Sequence, residues 1–279
     1  MYIRCWGSRG SLSASGAQYL KYGGDTSCME VRSSRGDIVI IDAGTGIRGL
    51  GNKLAREKPR KIDMIFTHAH WDHIFGFPFF TPLYMKGIDI TIRGCSFEGS
   101  SYKEILRGFM SPPYFPVGFE VFGARVKFGT INSRSFSVGE MKITPIPLSH
   151  PNFGVGFRIE EQGKSFVFLT DNELSFTHEQ GRTFDDYAEF SQGADLLIHD
   201  AEFTKKEYKL YKEFGHSHYV EATRLAVKAG VKRFGMFHHN RNRSDDEIDE
   251  MVTQARKIAQ KENAPLDCFA VGSSFEIQL

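Results

Sequence analysis

Three histidines and one aspartate crowd into six consecutive residues of this chain: after Thr67 come His68, Ala69, His70, Trp71, Asp72 and His73. His68 and His70 stand two apart, so an extended backbone points both rings the same way. A turn into a following helix then aims Asp72 and His73 at a second point nearby. Neutral imidazole and carboxylate are the donors that Zn²⁺, Mn²⁺ and Fe²⁺ accept. Chance places such a pattern in roughly one chain of this length per thousand or fewer. The string therefore reads as a metal-binding loop.

Four donors cannot complete two metal sites, and the ends of apolar strands are where others are sought. Pro147-Leu148-Ser149 runs into His150, Phe168-Leu169-Thr170 into Asp171, and Met236-Phe237 into His238 and His239. A single polar residue after a strand is more often a turn or a cap. Here the arrangement recurs at successive strands, and a sandwich of sheets gathers such ends at one rim.

The elements that must position these residues follow from periodicity and punctuation. Short segments rich in β-branched or aromatic residues predict strands at Tyr2–Trp6, Ser27–Arg32, Asp37–Asp42, Ile62–Thr67 and Ile88–Arg93. Helices are predicted at Ile47–Glu57, ended by Pro59, and at Tyr102–Met110. Ser111–Phe122, rich in Pro, Phe and Gly, is expected to be a loop folded over a pocket or core. Further strands are expected at Arg125–Phe128, Met141–Pro147, Gly154–Glu160, Ser165–Thr170, Ala194–His199 and Arg233–Phe237. Amphipathic helices are expected at Ser217–Ala229, with His216 or Ser217 near the cap, and at Asp245–Lys261. Two short strands close the chain. No linker, repeat or low-complexity segment divides it. The expectation is one α/β (α+β) domain over residues 1–279, a four-layer αββα sandwich with two sheets inside and helices outside.

His68-Ala69-His70-Trp71-Asp72-His73 resembles the H-x-H-x-D-H signature of the metallo-β-lactamase superfamily. The downstream order His, Asp, His matches that superfamily's later motifs. Asp42, in Ile41-Asp42-Ala43-Gly44-Thr45-Gly46, resembles its first motif, an aspartate that supports the site from behind. The resemblance runs from Trp6-Gly7 to His238. It implies that His68, His70 and His150 hold one divalent ion, that Asp72, His73 and His238 hold a second, and that Asp171 bridges them. His239 adjoins His238 and stays open as the ligand; an apolar strand running straight into the donor favours His238. Zinc is the first expectation for both ions, with manganese or iron as alternatives. Two ions about 3.5–4 Å apart lower the pKa of a water between them and steady both oxygens of a displacement. The expected nucleophile is that bridging hydroxide, with Asp72 and His216 as the residues tied most directly to catalysis.

The segment Leu197-Ile198-His199-Asp200-Ala201-Glu202-Phe203, then Gly215-His216-Ser217-His218, then Val231–His239 resembles the phosphodiesterase branch of the superfamily. That branch includes RNase Z, the tRNA 3′-end endonuclease, and enzymes that open cyclic phosphodiesters. It implies that His216 contacts the scissile phosphate; alone, His216 reads as a helix-capping residue. An aspartate rather than a cysteine at the bridging position argues against lactamases more than against thioesterases. Trp6–Ser11 and Tyr22–Cys28 resemble the small bacterial members described as cyclic-nucleotide-phosphodiesterase-like. Ser8, Arg9 and Ser11 are candidates for holding an anion, with a plain turn between strands as the equal alternative. Tyr114 or Phe115 is a candidate for stacking on a base, with core packing as the simpler reading.

Composition narrows the partner. With 35 basic and 34 acidic residues the net charge is +1, so the basic excess of a nucleic-acid binder is absent. The long basic arm of RNase Z has no counterpart here. A small phosphodiester is the expected substrate. RNA 3′-end processing, or a metal-bearing sensing module without catalysis, is the alternative. Cys5, Cys28, Cys95 and Cys268 form no C-x-x-C pair, which suits free thiols in a reducing compartment. The N-terminal MYIRCWGSRG lacks the apolar region of a secretory signal, and no apolar run reaches the ~18–20 residues of a membrane span. A cytoplasmic protein without membrane contact is expected. The resemblance also brings a homodimer into view.

Overall fold

The computed structural model describes residues 1–279. Its first half holds β1 (Tyr2–Gly7), β2 (Cys28–Arg32), β3 (Ile38–Ile41), α1 (Ile47–Glu57), β4 (Lys61–Ile65), α2 (Trp71–Ile74), β5 (Asp89–Gly94), α3 (Tyr102–Phe109) and β6 (Arg125–Thr130). The second half holds β7 (Phe136–Val138), β8 (Met141–Leu148), β9 (Gly154–Glu161), β10 (Lys164–Leu169), α4 (Phe184–Phe190), β11 (Leu196–Asp200), α5 (Lys205–Tyr208), α6 (Tyr219–Lys228), β12 (Arg233–Phe237), α7 (Asp245–Lys261), β13 (Asp267–Ala270) and β14 (Glu276–Gln278).

Two seven-stranded sheets result, ordered β14-β1-β2-β3-β4-β5-β6 and β13-β12-β11-β10-β9-β8-β7. Each sheet is antiparallel on one side and parallel on the other. In the first, pairing is antiparallel from β14 to β3 and parallel from β3 to β6. In the second it is antiparallel from β7 to β10 and parallel from β10 to β13. The C-terminal β14 crosses back to pair with β1, tying the end of the chain to its beginning.

The alternation of side chains along a strand sorts the core into layers. On β10, Phe166 and Phe168 point into the cluster between the sheets, while Val167 and Leu169 join the cluster under α4, α6 and α7. A third cluster lies between the first sheet and α1–α3. The four-layer αββα sandwich is thus built. Strands covered on both faces read as apolar runs: β3 is IVII, buried throughout.

Local signals set the helix ends. In α1, Ile47, Leu50, Gly51 and Leu54 form one buried stripe, and a left-handed Lys58 before Pro59 ends it. Reciprocal capping boxes start α3 at Ser101 and Glu104, and α7 at Ser244 and Glu247. α7 also carries Asp245, Asp246 and Glu247 in its first turn, against the positive end of its dipole.

Some elements differ from the sequence expectation. The cap of α6 is His218, whose ring accepts from the Glu221 amide, so neither His216 nor Ser217 takes that place. The strands β7 and the helices α2, α4 and α5 are three to seven residues long. So few turns leave too little periodicity to read. No helix is long and apolar enough to cross a membrane.

Candidate metal centre

Strand ends deliver the site. Asp42 directly follows β3, His68 lies three residues past β4, and His150 and Asp171 each lie two residues past β8 and β10. Asp200 ends β11 and His238 directly follows β12. Ligands in open α/β sheets gather outside such carboxyl ends. Asp42, Asp171 and His238 adopt left-handed backbone, with φ of 63°, 52° and 57°. For residues with a Cβ this costs about 1–2 kcal/mol each. The turn it makes swings each side chain off the sheet and into one rim.

Two groups of donors form there. His68, His70 and His150 bring one ring nitrogen each within 4.8 Å of one another. His150 Nε2 stands 3.1 Å from His70 Nδ1. Asp72, His73, Asp171 and His238 form the second group. His238 Nε2 lies 3.1 Å from Asp72 Oδ2, and His73 Nε2 lies 3.4 Å from the same oxygen. Asp171 faces both: its Oδ1 is 3.2 Å from His73 Nε2, and its Oδ2 is 3.3 Å from His238 Nε2 and 3.7 Å from His68 Nε2.

These residues fit two divalent cations. His68 Nε2 and His73 Nε2 are buried with no hydrogen-bond partner. Leaving such an atom unsatisfied costs about 1–3 kcal/mol, and a cation among the donors satisfies it. Burial holds His68 and His150 well below the usual imidazole range, which keeps them neutral as a ligand must be. Burial opposes charge on His73 and His238 too, yet Asp171 and its neighbouring carboxylates lift both well above the usual range. The second group therefore attracts positive charge, which protons supply when no cation does.

The other ring nitrogens are tied down from behind, which fixes ring orientation. His73 Nδ1 donates to Asp42 Oδ2 at 2.7 Å, while Asp42 also accepts from the Thr67 amide and the Ser27 hydroxyl. His238 Nδ1 donates to Glu202 Oε2 at 3.0 Å. His150 Nδ1 donates to the Gly215 carbonyl at 3.0 Å. Gly215 has a φ of 90°, and a Cβ there would sit 1.9 Å from His150 Nδ1, so only glycine fits.

His216 stands beside both groups. Its Nδ1 donates to Asp200 Oδ2 at 2.7 Å, with Glu202 Oε2 at 3.6 Å, and its ring stacks on His238 at 4.6 Å. Burial opposes its charge, but Glu202 and Asp200 outweigh that and push it up to about 9. With Ser11, His70, Trp71, Asp72, Asp171 and His238 it lines an open cavity of about 360 Å³.

The chain therefore brings together His68, His70, Asp72, His73, His150, Asp171, His216 and His238, with Asp42 behind them. His239 turns away: its Nε2 donates to the Val271 carbonyl at 2.8 Å. Ser8 and Arg9 do not reach the cavity, which corrects their assignment to substrate. The fully buried Arg9 donates to the carbonyls of Gly23, Asn240 and Arg243, so its charge serves to join the N-terminal loops to the segment after β12. Ser8 is buried too, and its carbonyl accepts from the His239 amide. Of that loop only Ser11 lines the cavity, and its amide donates to Asp72 Oδ2 at 2.8 Å.

Sequence reasoning gave no role to Glu173. Its buried carboxylate accepts from His178 Nε2, the Tyr208 hydroxyl and the amides of Glu213 and Gly215, all at 2.6–2.8 Å. It clamps the loop that carries His216. The only signal was an acidic residue next to a ligand-bearing strand end, which is too common to act on. Asp200 and Glu202 belong to the Leu197–Phe203 motif, yet only the fold shows that Asp200 holds the His216 ring and Glu202 the His238 ring.

A family description of the β-lactamase superfamily domain matches residues 38–239, the span from β3 through His239. This chain belongs to the metallo-β-lactamase superfamily. Among curated relatives, the ribonuclease Z of Oceanobacillus iheyensis is 24% identical over 245 residues, covering 72% of this chain and 78% of the relative. Among solved structures, the metallo-β-lactamase fold protein YhfI from Bacillus subtilis superposes with a TM-score of 0.71 at 19% identity, covering 99% of each chain. Unliganded yeast PDE1 superposes at 0.68 with 14% identity, covering 100% of this chain and 99% of its own. The chain is thus a superfamily hydrolase with its histidine/aspartate metal cluster intact.

Proposed function

We propose that the protein is a phosphodiesterase that uses two divalent ions, zinc in the first instance, on a small or cyclic phosphodiester. The observation that carries the reading is His216, fixed by Asp200 at the wall of the cavity that both donor groups share. His68, His70 and His150 would hold one ion, Asp72, His73 and His238 the other, with Asp171 between them. When bound, the ions supply Lewis acidity and a water acidic enough to attack at neutral pH.

The chain's own residues do the rest. His216 Nδ1 donates to Asp200 and keeps its proton, so the ring is held as the imidazolium and its other N–H is free to meet a phosphate oxygen and give its proton to the departing alkoxide. The Ser11 amide donates to Asp72 Oδ2 and so orients that carboxylate. No lysine or arginine lines the cavity. A polynucleotide neutralised along several phosphates requires such residues, so a substrate with one scissile phosphate suits it better.

The ribonuclease Z relatives support a second reading, cleavage at RNA 3′ ends. One experiment separates the two. The protein is loaded with Zn²⁺ or Mn²⁺, its metal content per chain is measured, and it is offered bis-p-nitrophenyl phosphate, a cyclic nucleotide and a precursor tRNA. Turnover of the small diesters is expected. Clean tRNA 3′-end cleavage without it would reverse the ranking, and inertness on the whole panel with two metals bound would point to a sensing module.

A further inference from the structure

Beside the metal cavity runs a second, apolar trough of about 580 Å³ that the proposed hydrolysis has not used. The two share Ala69 and Trp71, so they are continuous at the rim. Three separate segments build the trough: the α2 region with Phe75 and Phe79, helix α3 with Ile105 and Phe109, and the loop with Tyr114 and Phe115. No charged residue lines it. Ring pairs meet edge to face, Phe75 on Phe109 at 6.1 Å and Phe79 on Phe115 at 5.7 Å, which leaves ring faces and edges open to the trough.

Four of these rings are exposed to a degree unusual for their type: Trp71 by 75%, Phe75 by 51%, Phe79 by 54% and Tyr114 by 80%. Large exposed apolar patches mark binding surfaces. The volume lies within the ~300–1,000 Å³ range of small-molecule sites. His150 also lines a chamber of about 1000 Å³ with a different lining, including Asn132, Asn152, His178 and Arg182. That chamber mixes polar and apolar walls and carries Arg182 and Glu179, whereas the trough is aromatic and uncharged, so a planar uncharged group is matched by the trough.

We propose that the trough is the substrate's aromatic subsite, holding a nucleobase or similar planar ring joined through a short linker to the phosphodiester at the metals. This rests on the phosphodiesterase reading for the phosphate, but the ring's place follows from the trough itself. Stacking on aromatic side chains tolerates any base, since every base offers a π-face. Trp71 sits at the junction, where a ring beside the phosphate first meets the trough.

Gly108 on α3 offers a direct test. It lines the trough, and a Cβ added there meets nothing within 4 Å. Gly108→Leu therefore fills the trough without backbone strain, and Phe79→Ala removes one wall. The substrates are adenosine 5′-methyl phosphate and ribose 5-methyl phosphate, which differ only in the base. In the metal-loaded wild type the ratio of kcat/KM with and without the base is expected to exceed about tenfold, and each variant lowers it by about that factor. A second readout needs no turnover. Adenosine 5′-monophosphate is expected to quench Trp71 emission in the wild type, weakly in Gly108→Leu, and not in Trp71→Phe.

A ratio that neither variant changes overturns the subsite. So does a dimer that Gly108→Leu dissociates while the nucleotide causes no quenching, because the trough would then be an interface between copies. If neither diester is turned over but quenching occurs and Gly108→Leu weakens it, the hydrolytic reading fails and the aromatic subsite stands.

Discussion

The two halves of the molecule share one strand plan and put it to different use. Each has a meander of antiparallel strands leading into a parallel run. The first half concentrates its donors in one loop after β4, with four of them within six residues and Asp42 behind. The second half contributes one donor per strand end, His150, Asp171 and His238, and surrounds them with buried carboxylates at Glu173, Asp200 and Glu202. The first half thus supplies most of the donors as one cluster, and the second completes both donor groups and supplies the groups that hold rings and loops in place. A compact motif can be set by one turn, whereas dispersed donors need a preformed rim to meet at all.

Substitutions that cross this division should separate the two contributions. The largest effect is expected at Asp171, the residue facing both donor groups. Asp171→Ala should bring bound metal below two per chain and reduce diester hydrolysis by at least about 10³-fold, read by elemental analysis and kinetics. Removing the metals with a chelator should give the same loss, and adding zinc or manganese back should restore the wild type but not the variant.

His216→Ala should come next, and it belongs to the second half alone. Metal content should stay near that of the wild type while kcat falls by about 100-fold or more on an alkyl ester. The loss should be smaller on a p-nitrophenyl ester, whose leaving group needs little help from a proton. Equal losses on both esters would take the proton-donor role away from His216.

The supporting carboxylates offer a closer comparison. Asp42→Asn in the first half and Glu202→Gln in the second should each weaken metal binding by about 10–100-fold in a chelator competition. Asp42 holds more partners, so its loss should also cost about 2 kcal/mol of stability in denaturant unfolding. The smallest effect is expected from Glu173→Gln, which loosens the Gly215 loop without touching a donor atom. A fall of about tenfold in kcat with unchanged metal affinity would mark it as a positioning residue. Weakened metal binding instead would extend its influence to His150 through the Gly215 carbonyl.

Much of this architecture is legible in one dimension wherever the physical signal is local. The strand before His68 and the stripe Ile47, Leu50, Leu54 of α1 were readable because burial imposes a period on a short stretch. The helix of residues 47–57 has the bounds its sequence suggests, because Pro59 and the left-handed Lys58 stop it. The helix after residue 216 started later than its sequence suggested, because three neighbouring residues can all cap and only the His218 ring meets the waiting amide. Arg9 stood in the sequence as a candidate anion ligand, with a plain turn as the equal alternative, because its partners lie elsewhere along the chain. They are the carbonyls of Gly23, Asn240 and Arg243.

By itself the sequence determined the donor types, their crowding after β4, and the apolar runs that become covered strands. It held these because ligand chemistry and strand period are properties of neighbouring residues. Only the tertiary structure decided that His238 rather than His239 faces the donor cluster, that Glu173 clamps the His216 loop, and that an aromatic trough opens beside that cluster. Each of these depends on which remote segment supplies the partner, and the packing of the two sheets fixes that in space rather than along the chain.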